Sequence, residues 1–284
     1  MKLSEKVAVI TGGTRGLGLE IARLLAGAGA SVVVGSRSAD AVQRAVAELS
    51  SAGVASGRAC DVTRRDDVMS LRDAALKRYG RIDIWVNNAG TSGVYGPVHR
   101  VPEDSFEATT RTIVFGTYYG TLAALDVMLP AGSGHLVNLF GRGDDSPAPN
   151  QVAYGAAKAW VRAFTLAVAE ENRASGVIVH GFNPGLVRTD LLGRVETVSG
   201  FRERLLRLPA VVSVIGRTPA QAALPVLDLV TGERREYRGV TPARLLGQAA
   251  HFGLAKLRGR VPEPMAMEIK DVPDRAMSVG EGGS

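Results

Sequence analysis

The chain has 284 residues, 45% hydrophobic and 22% charged, with a net charge of +6. This is ordinary globular composition, enough to bury a substantial core. One cysteine, Cys60, excludes an internal disulfide framework, and the isolated histidines His99, His135, His180 and His251 lack metal-ligand spacing, so no metal is expected.

The first predicted element organises the rest. Val7–Ile10 is an apolar run into Thr11; Gly12, Gly13, Gly16 and Gly18 follow, with Leu17, Ile21, Leu24 and Leu25 at helical spacing. This predicts a buried strand, a tight turn and a helix. Glycine permits close backbone approach, and the unpaired N–H groups of a helix start favour a pyrophosphate. The spacing Gly12-x-x-x-Gly16-x-Gly18 differs from the usual G-x-G-x-x-G fingerprint.

Ser31–Gly35 predicts a second strand, Asp40–Leu49 an amphipathic helix, and Ala59–Val62 the end of a third strand at Asp61. Cys60 there reads as a buried, inert thiol. Asp66–Tyr79 is helical, and Asp83–Val86 is a fourth strand stopping at Asn87-Asn88-Ala89-Gly90. Glu103–Met128, after Pro102 and before Pro130, predicts one or two helices. Gly134–Leu139 is a fifth strand, Gln151–Glu171 a helix, and Val177–Phe182 a sixth strand closed by Asn183-Pro184-Gly185. Leu191–Pro209 mixes Leu191, Leu192, Phe201, Leu205, Leu206 and Leu208 with arginines and has no cofactor pattern; it reads as a helix packed on the core or, by the family resemblance given below, as a cover over a large apolar substrate. Thr218-Pro219-Ala220-Gln221 is a capping box opening a helix to about Val230. Beyond Gly232, a strand is at best compressed into Glu236–Val240. Thr241 to Leu257 predicts a basic amphipathic helix, and a Pro- and Gly-rich tail beyond Val261 is expected to be mobile.

Alternating strands and helices predict an α/β fold with a doubly wound parallel sheet of Rossmann type. A single dinucleotide-binding catalytic domain is expected over residues 1–231, with a substrate-covering segment at about 190–210 and an extension over 232–284. Loops at the carboxyl ends of the strands should converge on one crevice. Most of the excess charge lies between Gly232 and Arg260, so no general nucleic-acid surface is expected. No export signal and no apolar run long enough to span a bilayer is found, and a cytoplasmic location is expected.

The residues after the second strand are Gly35-Ser36-Arg37. An arginine there suits a ribose 2′-phosphate, and Arg15 can add a second charge, so NADP(H) is expected over NAD(H). Tyr154 and Lys158 share one helix face. A nearby ammonium favours phenolate, and a tyrosine so tuned can exchange a proton with an alkoxide during hydride transfer.

Thr11-Gly12-x-x-x-Gly16-x-Gly18, Asp61-Val62, Asn87-Asn88-Ala89-Gly90, Tyr154-x-x-x-Lys158 and Pro184-Gly185-x-Val187-x-Thr189 occur in that order. As a set they resemble the short-chain dehydrogenase/reductase family, over about Lys2 to Val230. The resemblance implies that Gly12, Arg15, Leu17 and Gly18 hold the pyrophosphate and nearby ribose, with Thr14 and Gly16 in the same binding turn. It implies that Asp61 and Val62 border the adenine and that Asn88, Ala89 and Gly90 line the cofactor. Lys158 would hold the nicotinamide ribose beside Tyr154, while Pro184, Gly185, Val187 and Thr189 flank the nicotinamide. Tyr154 and Lys158 would be catalytic, in a homodimer or homotetramer.

Two positions depart from the family. Its usual serine, thirteen residues before the tyrosine, is Gly141 here, and its usual helix asparagine, three residues before Gly116, is Ile113. His135 to Asp145 and Pro184 to Leu192 are loosely similar to the chlorophyll b reductase branch, which reduces a formyl group on a tetrapyrrole. Substitutes for the serine are sought in Arg142, Asp144, Asp145, Ser146 or the backbone amides of that loop, and bulky substrate is expected to fill the serine's space. The expected function is an NADPH-dependent oxidoreductase of a bulky apolar aldehyde, ketone or alcohol, with Tyr154 as general acid/base. The alternatives are a non-redox cyclase, isomerase or lyase on the same scaffold, or a cofactor-binding protein without turnover. The basic terminal helix is expected to pack on the protein or to make a peripheral contact with an anionic membrane.

Overall fold

The computed structural model describes residues 2–239 and 265–275. The helix expected from Thr241 to Leu257, and with it the membrane contact, lies outside them. In chain order the elements are β1 (Val7–Thr11), α1 (Gly16–Gly27), β2 (Ser31–Ser36), α2 (Ala39–Leu49), β3 (Ala55–Ala59), α3 (Arg65–Tyr79), β4 (Ile84–Asn87), β5 (Val94–Tyr95), α4 (Glu103–Thr110) and α5 (Gly116–Ala131). There follow β6 (Gly134–Leu139), α6 (Val152–Glu171), β7 (Val177–Asn183), α7 (Asp190–Gly193), β8 (Arg194–Val198), α8 (Arg202–Leu205), α9 (Leu208–Ile215), α10 (Pro219–Thr231), β9 (Glu236–Arg238) and β10 (Glu268–Val272).

Seven strands form one sheet in the order β3-β2-β1-β4-β6-β7-β9, every pairing parallel. Strand side chains alternate between faces. Ala8, Ile10, Val32, Val34, Ile84 and Val86 therefore pack under Ile21, Leu25 and Leu49 of α1 and α2 and Val226 and Leu229 of α10. Val7, Val9, Val33 and Trp85 point the other way, into Val68 and Leu71 of α3 and Ala123 and Met128 of α5. Burial of both faces is why these strands read as unbroken apolar runs. The register puts Thr11 opposite Gly35 and Asn87, and Asn87 opposite Asn138. The strand ends are thus level, and the loops that follow them share one crevice.

Several expectations are corrected. β3 ends at Ala59, before Asp61. The short strand expected within Glu236–Val240 forms as β9, Glu236–Arg238, and adds a seventh strand to the sheet beside β7. The tail expected to be mobile carries β10, which pairs with β8, itself paired with β5, in a second parallel sheet of order β10-β8-β5. Phe201 and Leu205 are buried there with Val94, Tyr95, Val195, Val198 and Ile269, whereas Leu191, Leu206 and Val211 remain exposed. The helical run Glu103–Ala131, from α4 through a π-helical turn at Arg111–Phe115 into α5, is long and apolar enough by length and composition to span a bilayer. Its burial of Ala123, Ala124 and Met128 against the sheet makes it a core helix.

Two histidines are not isolated. His135 Nδ1 lies 3.0 Å from His180 Nε2, and His180 Nδ1 lies 2.8 Å from the carbonyl of Arg234. That carbonyl only accepts, so His180 donates from Nδ1 and accepts from His135.

Candidate active site

The glycine turn closes because two side chains are missing. A Cβ at Gly18 would stand 2.3 Å from the Gly12 carbonyl oxygen, and one at Gly12, where φ is +64°, would stand 2.9 Å from Ala89 Cα. Asn88 braces the turn: its side-chain amide donates to the carbonyls of Thr11 and Gly12, both at 3.0 Å. Thr11 Oγ1 accepts from the amides of Asn88 and Ala89 at 3.1 and 3.3 Å. α1 then starts at Gly16 behind Arg15, with no side-chain cap on its first amides. A close-packed glycine cradle leading into an uncapped helix start fits a pyrophosphate.

Thr189 and Asp190 meet this turn from the loop after β7. Thr189 packs on Gly16, whose Cβ would lie 3.2 Å from the threonine methyl, and Arg15 Nη1 reaches Asp190 Oδ2 at 3.4 Å. The Gly185 amide donates to Asn183 Oδ1 at 3.0 Å. Thr14, Leu17 and Asp61 are half-buried, Val62 is buried, and Arg37 and Gly90 are exposed. The Asp61 carboxylate accepts from the amide and hydroxyl of Thr63 at 2.9 and 2.8 Å. Cys60 is buried, and desolvation pushes its thiol up to about 12, consistent with an inert side chain.

Tyr154 and Lys158 lie one turn apart on α6, with Lys158 Nζ 5.7 Å from the centre of the Tyr154 ring. Lys158 is buried and donates to the Leu139 carbonyl at 2.7 Å. Burial brings its ammonium down to about 8, while the charge of Asp144 pulls it back up. Burial raises the Tyr154 phenol, and Tyr95 and Asp144 raise it further. The expected lowering by the ammonium is not found: desolvation of the phenolate is the largest cause and acts upward. The phenol is protonated at neutral pH.

Gly141 and Ile113 are both filled positions. A Cβ on Gly141 would stand 2.4 Å from Tyr154 Oη, 3.2 Å from its Cζ and 3.4 Å from Lys158 Cε. The tyrosine hydroxyl, not substrate, takes the space a serine would need. Ile113 packs with Phe140, Ala157 and Val161 behind the pair, an apolar wall where a polar side chain was the family's habit. Of the loop candidates, Arg142, Asp145 and Ser146 are exposed and Asp144 is buried. Burial raises the Asp144 carboxyl against the opposing pull of Asn183, 3.1 Å away, and Arg238, 3.6 Å away.

Two residues here escaped the sequence reading. Gln151, just before α6, donates from Nε2 to Tyr95 Oη at 2.8 Å and to the Ser92 carbonyl at 3.1 Å. Tyr95 sits on a two-residue strand in a glycine-rich loop, with no periodicity to mark it. Its only sequence signal was an aromatic residue downstream of the Asn87–Gly90 motif.

Residues 6–198 match the family described as short chain dehydrogenase. The chain is 33% identical over 259 residues to a probable chloroplastic chlorophyll(ide) b reductase of Arabidopsis thaliana, covering 84% of this chain and 51% of that protein. It therefore spans about half the length of that relative. An actinorhodin polyketide ketoreductase solved with NADPH superposes with a TM-score of 0.72 at 30% identity, over 81% of this chain and 91% of the other. A 3-ketoacyl-(acyl-carrier-protein) reductase from Brucella melitensis complexed with NADH gives 0.72 at 28% identity, over 84% and 96%.

Proposed function

The chain belongs to the short-chain dehydrogenase/reductase family of oxidoreductases, and we propose that it is an NADPH-dependent reductase of a bulky apolar aldehyde or ketone, with Tyr154 as the proton donor. A nicotinamide cofactor is supported by the fitted glycine cradle and by neighbours solved with NADPH and with NADH. The observation that carries the reductive reading is the buried, protonated Tyr154 phenol one turn from buried Lys158. Arg37, exposed just beyond β2, supports the preference for a 2′-phosphate. The relative that acts on chlorophyll(ide) b and the exposed Leu191, Leu206 and Val211 support a bulky apolar substrate. A homo-oligomer belongs to the same reading, supported by exposed Tyr118 and Trp160 on the adjoining helices α5 and α6.

When bound, the nicotinamide supplies a hydride. Tyr154 gives its Oη proton to the substrate oxygen as negative charge develops there. Lys158, fixed by the Leu139 carbonyl, stabilises the phenolate that remains, and the Asp144 charge favours the charged form of that lysine. Ile113 and Phe140 exclude water behind the pair.

The test is NADPH and NADH oxidation across a panel of aryl aldehydes and ketones. Aldehyde-dependent oxidation is expected, with NADPH preferred at least about tenfold, equivalent to about 1.4 kcal/mol, and Arg37→Asp should erase that preference. Tyr154→Phe should bind NADPH normally and lose about 10²–10⁴-fold in turnover. No oxidation with any carbonyl overturns the reading.

A further inference from the structure

We propose that Tyr95 is a second catalytic hydroxyl, donating a hydrogen bond to the substrate oxygen that Tyr154 protonates and so standing in for the side chain missing at Gly141. The inference rests on the reductase reading above. Charge builds on one oxygen as a carbonyl is reduced, and a second preorganised donor aimed at that oxygen is worth about 10²–10³ in rate. Gly141 has no side chain to offer one, and the Tyr154 hydroxyl already fills the space above it.

Tyr95 is placed for the task by two independent elements. Within the second sheet it pairs with Thr197, whose hydroxyl donates to the Tyr95 carbonyl at 3.0 Å. At the other end of the side chain, Gln151 Nε2 donates to Tyr95 Oη, and Gln151 is the N-cap of the helix that carries the proton donor, just ahead of Tyr154. The Ser92 carbonyl accepts the second Nε2 proton, which fixes the amide and makes Tyr95 the acceptor of this bond. The phenol therefore keeps its own proton to give. Tyr95 is only 5% exposed, and among the described residues no acceptor takes that proton. The hydroxyl already accepts one bond, from Gln151, and its own proton is available to a substrate oxygen. Burial also raises the Tyr95 phenol, against the opposing charge of Arg142, so it remains a donor at neutral pH. Tyr95 keeps its proton throughout: the hydride comes from the nicotinamide and the transferred proton from Tyr154.

Tyr95→Phe keeps the ring packed against Val94, Val195 and Val198 and removes only the hydroxyl. It is expected to lower kcat/KM for aldehyde reduction about 10²-fold, with NADPH affinity and thermal midpoint close to those of the unaltered protein. Loss within threefold overturns the proposal. A second measurement does not depend on turnover: 4-nitrophenolate presents an oxyanion, and its binding to the protein–NADP⁺ complex is read by visible absorbance. Binding at least tenfold weaker in Tyr95→Phe supports the proposal; equal binding, or none to the unaltered protein, overturns it. Tyr95-dependent binding of nitrophenolate without any NADPH oxidation would leave the donor in place and reject the reductase reading instead.

Discussion

A Cβ placed on Gly141 cannot coexist with the Tyr154 hydroxyl 2.4 Å away, and the atom in the way belongs to a rigid ring rather than to the end of a flexible chain. The glycine is thus part of how the proton donor is seated. Gly141→Ala should lower turnover at least about tenfold, about 1.4 kcal/mol on the barrier, because the tyrosine hydroxyl must move from its seat. Gly141→Ser restores the family's side chain in the same forbidden space and should fare no better. Steady-state kinetics on both variants decide it: a gain in turnover for the serine would show that the tyrosine moves aside readily. That Gly141 departs from the family was visible in the sequence. What occupies the vacated space was not, because it is set by how α6 packs against the end of β6.

At the scale of elements, local signals were read well and non-local pairing was not. The capping box on α10 forms as expected, with Gln221 N donating to Thr218 Oγ1 at 3.2 Å and Thr218 N to Gln221 Oε1 at 3.1 Å. The sheet β10-β8-β5 joins segments far apart in the chain, none with a strong pattern of its own. It is fastened at its end by Arg100 Nε on Asp274 Oδ2 at 2.6 Å and Arg275 Nη2 on Glu103 Oε1 at 2.7 Å. Ile269 is the apolar anchor of β10, buried with Val195 and Phe201. Ile269→Ala should cost about 2–4 kcal/mol locally. Amide exchange in β8 should speed up and KM for the carbonyl should rise, because Tyr95 loses its backing, whereas NADPH affinity should hold. Unchanged exchange in β8 would show that β10 contributes nothing to this sheet.

At the scale of the molecule, buried His180, paired with half-buried His135, predicts an acid limit to stability. Burial brings His180 down to about 4, with the Arg234 carbonyl opposing and His135 and Arg235 reinforcing the shift. Its unfolded value is about 6.5. Above that pH the histidine is neutral in both states and makes no difference. As pH falls from about 6.5 towards 4, the unfolded chain binds a proton that the folded one refuses, so stability drops by roughly 3 kcal/mol. His180→Gln should flatten the fall in urea midpoint over that range. An equally steep fall in the variant would assign the acid limit to other groups.

The sequence by itself determined the order of strands and helices, the doubly wound parallel sheet, the glycine turn and the Tyr154–Lys158 pair. Each depends on neighbours a few residues apart: apolar runs for strands buried on both faces, a repeat of three to four for helices, and glycine where the backbone closes on itself. Tertiary structure alone decided the direction of the Tyr154 shift, the filling of the Gly141 space, the second sheet, and the convergence of Tyr95 and Gln151 on the proton donor. The reason is common to all four. Desolvation, steric exclusion and side-chain hydrogen bonding are set by which distant segments meet, and in a parallel sheet every crossover brings together residues whose separation along the chain carries no periodic signal.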